Sequence, residues 1–550
     1  MKLLLLLLFL YAVTAKRVEL DWNLKYKNVN ADGLFERRVI SINDQWPPLP
    51  VELNVNDILV IHLQNNLNEV TVIHAHGINQ NNGTNHMDGA GMVTQCPIPA
   101  NHNFTYEFPV TQAGTFWIHS HYKVQYMDGL RVPLVVRDIH EPFHWDEDQI
   151  ISLSDWYHQD SYTNLEQYMN HDNIEGVEPI PQSGLINDHV NSTISFKPNK
   201  TYRLRFVNMA GIATFNVYLD GHDMQVIEVD GIPTQPTRTG LIYLAAGQRV
   251  SVLVKTKSTT DLNYILHANM NPAMFDYIPD GLKLSNDANI FPLKASPPLV
   301  ADRQINMTVD FMENTDGLNH GVINDIPYLS PLVPSLNTLM TIEENLVNDT
   351  RVYGPQSQTI IADLDQVLEI VINNLDDGPH PFHLHGHSFQ VIARGDGVYS
   401  KDTVIVEPIN PTVRDTIVVT PEGYVVLRFR ANNPGVWFFH CHVDWHLPAG
   451  LAATFITAPK LARQQFEALP DIMYDICTLS GLPAKGNAAG KKGLDLEGAP
   501  DGVRPIKNPL ILGCIIATLV GISTIIWHVW VDPTSSQHEE EDEDQKRLLE

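Results

Sequence analysis

Short runs that alternate apolar and polar residues fill the chain from residue 17 to about 460. VELNVNDILVIHLQNN, TYRLRFVNMA, QRVSVLVKTK and YVVLRFRANN are examples, and turn residues separate such runs at regular intervals. Alternation places every second side chain on the same face of a strand, so one face can be buried. A helical pattern is present only near residues 461–469. The pattern therefore predicts an all-β protein made of sandwich domains.

Two motifs near the start of the chain recur near its end. AGTFWIHSH at 113–121 matches PGVWFFHCH at 434–442, and VTVIHAHG at 70–77 matches PHPFHLHG at 379–386. The first and last thirds are therefore predicted to be copies of one domain. The middle third keeps strand patterns and lacks these histidine pairs. The length of 550 residues allows three domains of ordinary size. The predicted domains span residues 16–140, 141–300 and 301–480.

The remaining segments predict a secreted and anchored chain. Residues 1–15 join Lys2, a leucine-rich run and small residues, which is typical of a cleaved secretory signal peptide. Residues 509–531 carry no charge until the segment ends and are long enough to cross a hydrocarbon core of ~30 Å as a helix. A buried core helix is the alternative for this segment. Residues 481–508 are rich in Gly, Pro, Ala and Lys, which predicts a flexible linker.

A cleaved signal followed by one membrane helix predicts a single-pass type I protein of the cell membrane. Residues 532–550 then form an acidic cytosolic tail. The end of the tail, DQKRLLE, is either an acidic dileucine sorting signal or a chance leucine pair, so a vacuolar or endosomal membrane is the alternative location. The sequence also predicts a glycoprotein. Its Asn-x-Ser/Thr sites begin at Asn82, Asn103, Asn191, Asn199, Asn306 and Asn348.

The net charge limits which partners the protein can bind, and the cysteines indicate a candidate disulfide. The formal net charge of −28 argues against a nucleic-acid partner, because phosphate binding needs a basic surface. The acidic exterior either is simply solvated or attracts metal cations or basic partners. Of the four cysteines, Cys514 lies in the apolar segment and Cys441 lies between two histidines. Cys96 and Cys477 remain as a candidate disulfide in an oxidising compartment.

Four His-x-His pairs are the strongest chemical signal in the chain. About one such pair is expected by chance among 24 histidines, so the excess is informative. Residues i and i+2 of a strand face the same side, so each pair directs two imidazoles at one point. Eight imidazoles suit copper or zinc. The pairs are His74/His76, His119/His121, His383/His385 and His440/His442.

Cys441 adds a second kind of metal site. Its side chain projects away from its two histidine neighbours along the strand. With His446, five residues later, and His380, it forms the two-histidine, one-cysteine ligand set of a blue-copper site. Leu451 falls at the axial position and cannot coordinate, so the site is predicted to be three-coordinate with a raised reduction potential.

This arrangement predicts an electron-transfer chemistry. Cys441 would hold one copper, and short backbone paths join it to a histidine cluster holding three more. Such a cluster can collect four electrons and reduce dioxygen to two waters. Carboxylates must supply protons, and Asp88 and Asp444 are the candidates. Asp88 is alternatively a turn residue before Gly89.

At these residues the sequence resembles the multicopper oxidases over essentially the whole ectodomain. HPFHLHGHSF and HCHVDWHLPAGL are the specific motifs. The resemblance implies three cupredoxin-like Greek-key domains and four copper ions, with one cluster between the first and third domains. It assigns His380, Cys441 and His446 to the type 1 copper, and His74 and His383 to type 2. The type 3 pair takes His76, His119, His121, His385, His440 and His442.

Within that family the chain is most similar to fungal cell-surface ferroxidases that work with a high-affinity iron permease. Glu178, Asp276 and Asp376 stand where those enzymes carry acids. Hard oxygen ligands favour Fe(III) over Fe(II), so such acids would draw in iron and promote its oxidation. Asp444 stands where a glutamate is more usual. Asp377 follows Asp376 directly, which leaves open which of the two acids faces iron.

Three hypotheses about function follow from the sequence. The first is a ferroxidase that takes Fe(II) and O2 as substrates in iron uptake or transport. The second is a laccase-like phenol oxidase, which needs one polar group in an apolar pocket. The third is a non-catalytic protein that stores copper or stabilises a permease.

Overall fold

The computed structural model describes residues 15–81, 83–271, 290–466, 468–503 and 518–527. Several predicted features lie outside these residues. They are the signal peptide up to residue 14, the sequon asparagine Asn82, the acid Asp276, most of the 509–531 segment and the 532–550 tail.

The first strands form two four-stranded sheets. They are β1 (Arg17–Val29), β2 (Arg37–Ile42), β3 (Val51–Asn54), β4 (Ile58–Asn65), β5 (Ile73–His76), β6 (Asn103–Pro109), β7 (Gly114–Ser120) and β8 (Arg131–Arg137). Their orders are β2-β1-β4-β6 and β3-β8-β7-β5. Phe104 and Phe108 alternate with exposed side chains along β6, and together with Leu59 and Ile61 of β4 they fill the space inside this first pair.

A six-stranded and a three-stranded sheet follow. Their strands are β9 (Glu147–Trp156), β10 (Ser183–Ile186), β11 (Thr201–Asn208), β12 (Thr214–Leu219), β13 (Met224–Val229), β14 (Ile232–Thr239), β15 (Ile242–Leu244), β16 (Arg249–Lys255) and β17 (Leu266–Asn271). The orders are β10-β9-β11-β16-β13-β14 and β15-β12-β17. This middle pair has its own apolar core.

The last pair is the largest. Its strands are β18 (Arg303–Glu313), β19 (Asn319–Ile323), β20 (Thr359–Ala362), β21 (Val367–Asn374), β22 (His380–Leu384), β23 (Phe389–Asp396), β24 (Val413–Arg414), β25 (Thr416–Val419), β26 (Gly423–Arg430), β27 (Gly435–Cys441) and β28 (Ala452–Thr457). The orders are β19-β18-β21-β26-β23-β24 and β20-β28-β27-β22-β25. Each pair lies within one predicted domain, and the exact boundaries near 140, 300 and 480 remain predictions.

Helices are short and lie outside the sheets. They are α1 (Ser161–Tyr168), α2 (Ser335–Thr341), α3 (His446–Ala449), α4 (Pro459–Phe466) and α5 (Ile472–Leu479), and 3-10 turns occupy Asn85–Met87, Gln125–Asp128, Glu344–Leu346 and Thr350–Tyr353. Of the helices, the sequence pattern predicted only α4. Residues 518–527 are also helical. Within the described residues, no helix has the length and apolar character that crossing a membrane requires.

The two copies of the histidine motifs have the same strand pairing. β5 lies antiparallel to β7 with His74 opposite His119, and β22 lies antiparallel to β27 with His383 opposite His440. The repeat seen in the sequence is therefore also a repeat of register. It puts one histidine-bearing strand pair in the first pair of sheets and one in the last.

The first and last pairs of sheets are joined directly. Asn85 forms two hydrogen bonds with the backbone of Val436, at 2.7 Å and 2.9 Å. Cys96 and Cys477 form a disulfide, with Cα atoms 5.1 Å apart, which ties the first pair to α5. The disulfide expected from the cysteine count is therefore confirmed. These contacts hold the two histidine-bearing strand pairs against each other.

The described part of the predicted linker, residues 481–503, does not behave as the flexible stalk that its composition indicates. Asn487 and Ala488 are fully buried. The Ala488 backbone donates to Val352 and accepts from Leu332, at 2.8 Å and 2.9 Å. The Asn487 side chain donates to two carbonyls of its own loop, including that of Asp495 at 2.7 Å. The glycines allow tight turns, and the polar loop is fixed by its own hydrogen bonds.

Candidate metal centre

The first metal-binding group, which we call the thiolate cluster, consists of Cys441, His380 and His446. All three are buried, and their donor atoms lie within 4.8 Å of one another. The sulfur lies 3.4 Å from Nδ1 of His446 and 3.7 Å from Nδ1 of His380. Cys441 ends β27 and His380 begins β22, while α3 supplies His446. The geometry leaves both Nε2 atoms facing away from the sulfur.

The electrostatics of this cluster favour a thiolate. Burial opposes ionisation of Cys441, but the neighbouring charge of His446 and hydrogen bonds from both imidazoles lower the pKa of the thiol to about 6. Burial also works against charge on His446, and the sulfur and Glu178 raise its pKa to about 10. A thiolate with two imidazoles is the donor set that copper prefers in blue sites.

Leu451 and Phe311 each contact a residue of the thiolate cluster. Phe311 stacks on the His380 ring with centroids 5.6 Å apart. Leu451 is fully buried, and its carbonyl accepts a hydrogen bond from the Cys441 backbone at 3.1 Å. Leu451 belongs to the same apolar core as Cys441, and Phe311 packs against that core. The axial role of the Leu451 side chain stays a prediction.

The second group, which we call the histidine cluster, contains all eight paired histidines. One triplet combines His121 from the first pair of sheets with His385 and His440 from the last. Nε2 of His440 lies 3.2 Å from Nε2 of His121 and 3.3 Å from Nε2 of His385. Three ring nitrogens thus meet at one point, as three ligands of one ion do.

A second triplet mirrors the first. It combines His76, His119 and His442, with Nδ1 of His76 lying 3.2 Å from Nε2 of His442. The last two members of the histidine cluster, His74 and His383, group with His76. Within the described chain, Nε2 of His74, His119 and His383 is buried with no hydrogen-bond partner. Bare inward-facing nitrogens of this kind fit metal ions.

Burial keeps most of the histidine cluster neutral. It lowers the pKa of the cluster histidines well below the usual range, and the charges of neighbouring imidazoles lower it further in the same direction. Neutral imidazole is the form that binds metal. The histidines so affected are His76, His119, His121, His385, His440 and His442.

Asp88 links the two halves of the histidine cluster. Its Oδ2 lies 2.8 Å from Nδ1 of His385, and its carbonyl oxygen lies 2.7 Å from Nδ1 of His74. Gly89 permits this approach, because its φ is +75° and a Cβ there would lie 1.7 Å from the carbonyl oxygen of Ile73. Asp88 is therefore both a residue of a tight turn and an acceptor for two histidines. Its proton-donating role stays a prediction.

Asp444 lies on the other side of the histidine cluster. It is buried and lines a small cavity together with His121, His442 and Tyr126. Burial raises its pKa well above the usual range, and the charges of other buried carboxylates add to the rise. Its Oδ2 has no partner within the described chain. A neutral carboxyl group beside a metal cluster can donate a proton.

Asp415 and Thr416 also contact the histidine cluster, but no sequence motif marks them as part of a metal site. Oδ1 of Asp415 lies 3.6 Å from Nε2 of His76 and from Nδ1 of His383. The Thr416 hydroxyl lies 3.1 Å from the same nitrogen of His383. Thr416 is the residue opposite His383 in the β22–β25 register, so only the strand pairing reveals the contact.

Two predicted iron-binding acids contact the thiolate cluster directly. Oε1 of Glu178 lies 2.9 Å from Nε2 of His446, and Oδ2 of Asp376 lies 3.0 Å from Nε2 of His380. Burial alone would raise the pKa of each acid, but its histidine partner lowers it below the usual range. Both carboxylates are therefore ionised. Each one accepts the hydrogen bond of a different histidine.

These acids open onto a cavity of about 680 Å³. Asp377 and Glu175 also line it, as do Val177, Ile180 and Phe311. Asp376 and Asp377 thus both face the cavity, and Asp376 alone of these two contacts a histidine of the thiolate cluster. Several carboxylates in one cavity can bind a cation. Because two of them contact histidines of the thiolate cluster, an electron could pass from that cation to a metal ion held by the cluster.

Three multicopper oxidase family models match the chain, at residues 23–141, 147–284 and 328–461. An iron transport multicopper oxidase of Gibberella zeae is 37% identical, with 94% of this chain and 89% of the relative covered. The chain therefore belongs to the multicopper oxidase family, whose mostly-β cupredoxin-like fold it has. It is an oxidoreductase, and copper is the cofactor that its two clusters fit.

The more specific likeness is to iron-transport members of the family. The FET5 iron transport multicopper oxidase of Saccharomyces cerevisiae is 37% identical over 92% of this chain and 91% of its own length. The crystal structure of Fet3p, a multicopper oxidase that functions in iron import, matches with a TM-score of 0.84 at 34% identity, covering 88% of this chain and 99% of that one. A laccase from Botrytis aclada has a TM-score of 0.73 at 25% identity, covering 86% and 95%.

Proposed function

We propose that this protein is a ferroxidase that oxidises Fe(II) to Fe(III), reduces O2 to water and serves iron uptake or transport. One observation carries the proposal. Two ionised carboxylates, Glu178 and Asp376, line a single cavity, and each contacts a different histidine of the thiolate cluster. The names of the iron-transport relatives support the same substrate.

The chemistry of the cavity suits iron. Carboxylate oxygens are hard donors and bind Fe(III) more tightly than Fe(II), so they make the bound ion easier to oxidise. The net charge of −28 attracts cations toward the protein. The hydrogen bonds that His446 donates to Glu178 and that His380 donates to Asp376 would give short paths between bound iron and the thiolate cluster. Asp276 remains the predicted third acid.

The thiolate cluster and the histidine cluster would have different functions. Bound copper would supply one-electron acceptance and the transfer of four electrons to O2, with the balance 4 Fe(II) + O2 + 4 H⁺ → 4 Fe(III) + 2 H2O. His380, Cys441 and His446 would hold the type 1 ion, and His74 and His383 the type 2 ion. The type 3 pair would be held by His76, His119, His121, His385, His440 and His442.

Four protons are consumed in each cycle, and two carboxyl groups are placed to handle them. Asp444 is neutral and faces a cavity beside the histidine cluster, so it can donate a proton there. Asp88 accepts a hydrogen bond from His385, which does not line that cavity. The two acids would therefore serve different histidines of the cluster.

Phenol oxidation is the second candidate function, and one observation favours it. Val177, Ile180 and Phe311 give the iron cavity apolar walls on which an aromatic ring could rest. Glu178 would then accept the phenolic proton. The additional acids Asp376 and Asp377 favour a metal cation over a phenol, so iron ranks first.

The location and the partner are part of the proposal. The uninterrupted apolar run of 509–531 supports a single membrane anchor, after a cleaved signal at 1–15. An iron permease in the same membrane would take the Fe(III) that the cavity releases. The cell membrane is the first location, and a vacuolar or endosomal membrane is the alternative.

Steady-state oxidation of Fe(II) beside a phenol, with copper content measured in parallel, tests the proposal. The copper-loaded ectodomain should oxidise Fe(II) at micromolar concentrations with one O2 consumed for every four Fe(II). Phenol turnover should be much slower at the same concentration. A copper-loaded protein that oxidises phenols readily and Fe(II) no faster than buffer would contradict the ferroxidase proposal.

A further inference from the structure

Arg249 carries a positive charge from the middle pair of sheets to the histidine cluster. It is the first residue of β16 and is fully buried. Its two terminal nitrogens donate to the two carboxylate oxygens of Asp415, at 2.7 Å and 2.6 Å. Its Nε donates to the carbonyl of Thr115 on β7 at 3.0 Å. One side chain therefore contacts all three pairs of sheets.

Asp415, the partner of Arg249, lies beside two histidines from different halves of the chain. The rings of His76 and His383 stack with centroids 3.7 Å apart and an angle of 13° between their planes. Oδ1 of Asp415 lies 3.6 Å from Nε2 of His76 and from Nδ1 of His383, and it accepts a hydrogen bond from the Thr416 hydroxyl at 2.8 Å. Nδ1 of His383 is held more closely, 3.0 Å from the carbonyl oxygen of Asp415 and 3.1 Å from the Thr416 hydroxyl. The carboxylate and the hydroxyl thus lie along the edge of the stacked rings.

The middle pair of sheets approaches the histidine cluster closely at another point as well. Gly247, two residues before Arg249, has a φ of +81°, and a Cβ there would lie 2.8 Å from the ring of His442. The backbone at this point therefore packs directly on a histidine. The middle third, which lacks the histidine pairs, still contributes groups at the cluster's surface.

We infer that Arg249 is a positioning residue for the histidine cluster, acting through Asp415. A bidentate arginine–carboxylate pair fixes the plane of the carboxylate as well as its distance. Polar groups behind metal ligands orient those ligands and tune their affinity. Arg249 thereby sets the relative orientation of His76 and His383. The inference rests on the copper-ligand assignment proposed above.

The same sheet offers a matched control. Arg205 on β11 is also fully buried and forms a bidentate pair with Asp148, at 2.8 Å and 2.9 Å. Within the part of the chain that the structure describes, neither Arg205 nor Asp148 contacts a histidine of the cluster. The two arginines therefore share burial, sheet and a bidentate carboxylate pair, although Arg205 uses Nε and one terminal nitrogen where Arg249 uses both terminal nitrogens. They differ in whether the carboxylate reaches the histidine cluster.

The test compares Arg249→Lys, Asp415→Asn and Arg205→Lys in the copper-loaded full-length chain. Lysine keeps the buried charge and loses the planar fork, and asparagine keeps the shape of Asp415 without its charge. Copper per chain, blue absorbance and the paramagnetic resonance of the type 2 copper are measured. In the first two variants, type 2 copper should be held about 10–100-fold more weakly and give an altered signal. Blue absorbance should remain, and Arg205→Lys should match the wild type.

The outcomes separate the inference from its premise. If the wild-type protein gave no type 2 copper signal, the proposed assignment of copper ligands would itself be wrong. A normal wild type with unchanged type 2 copper in both variants would overturn the inference. Equal losses in Arg205→Lys, or joint loss of the blue absorbance, would also overturn it, because a general packing role would then explain the effect. Should Arg249→Lys not fold, Asp415→Asn decides the question by the same measurements.

Discussion

Nε2 of His446 lies 2.9 Å from Oε1 of Glu178, although 268 positions separate the two residues in the sequence. Glu178 lies in the segment between α1 and β10, so the middle pair of sheets places an acid on a ligand of the thiolate cluster in the last pair. Asp376 repeats the arrangement on His380 from within the last pair. The electron acceptor is thereby approached by two acids from two directions.

Replacing these acids by their amides should damage iron oxidation selectively. Glu178→Gln and Asp376→Asn keep the side-chain shapes but remove the negative charge, so Fe(II) should bind more weakly and lose its electron more slowly. We expect kcat/KM for Fe(II) to fall about tenfold or more in each variant, equivalent to ~1.4 kcal/mol. Stopped-flow and steady-state kinetics measure the change, and the blue absorbance should persist.

Glu175→Gln is the control for this pair. Glu175 lines the same cavity and makes no hydrogen bond to the thiolate cluster within the described residues. Its substitution should change kcat/KM by less than about twofold, because Glu175 is exposed and solvent screens its charge. If all three variants lost iron turnover equally, the contacts to His446 and His380 would have no special role.

Cys441→Ser should abolish the blue absorbance and stop oxygen uptake with every reductant. A hydroxyl is a poor copper ligand, whereas the Cys441 thiol, with its pKa lowered to about 6, is readily a thiolate. Absorption spectroscopy, an oxygen electrode and copper analysis check this. The histidine cluster should keep its copper. Oxygen uptake at the wild-type rate in a variant without blue absorbance would disprove the electron path.

Asp444→Asn should slow oxygen reduction and change its pH dependence. Burial raises the pKa of Asp444, so the group is protonated at neutral pH and loses its proton only as the pH rises through that raised pKa. Wild-type turnover should therefore fall on the alkaline side, and Asp444→Asn should lose this limb while being about 10²-fold slower. Asp444→Glu restores a carboxyl group and should recover part of the rate. An unchanged profile in Asp444→Asn would exclude the proton-donor role.

Leu451→Met should lower the reduction potential of the type 1 copper. The substitution conserves volume in a fully buried position and supplies a thioether, which is the usual weak axial ligand. Redox titration of the blue absorbance measures the potential, and the unfolding temperature should change little. A potential equal to that of the wild type would show that the Leu451 side chain does not face the copper.

Removing the Cys96–Cys477 disulfide should destabilise the chain without changing its chemistry. The bond closes a loop of 381 positions, so its loss in a Cys96→Ser, Cys477→Ser double variant should cost about 2–5 kcal/mol of unfolding free energy. Thermal and denaturant unfolding measure the loss. Blue absorbance and Fe(II) turnover at 25 °C should be unaffected, since neither sulfur lies in a metal cluster. Unchanged stability would mean that other contacts already join α5 to the first pair of sheets.

The histidines were predictable because they obey the simplest rule of strand geometry. A period of two puts His74 with His76, and His440 with His442, on one face of a strand. Cys441 falls on the opposite face for the same reason. Local spacing was therefore sufficient to select these residues as candidate metal ligands, whereas the meeting of the first and third domains at one cluster was implied by the family resemblance.

Residues that act through other residues could not be predicted in this way. Asp415 and Arg249 meet across 166 positions, and neither lies at a fixed spacing from a histidine motif. Their contact depends on how the middle pair of sheets packs, which is a tertiary property. Composition also misjudged residues 481–503, because a Gly-rich loop can be held by one well-placed side chain, here Asn487.

Every triplet of the histidine cluster draws on both 74–121 and 383–442. A chain that has emerged from the ribosome only as far as His121 therefore holds one or two of the three residues of each triplet and no complete triplet. Copper binding by the histidine cluster must wait until the chain has been synthesised at least as far as His442 and the two ranges have met. A truncated or stalled product would then be unable to hold these copper ions, and so could not release partly reduced oxygen.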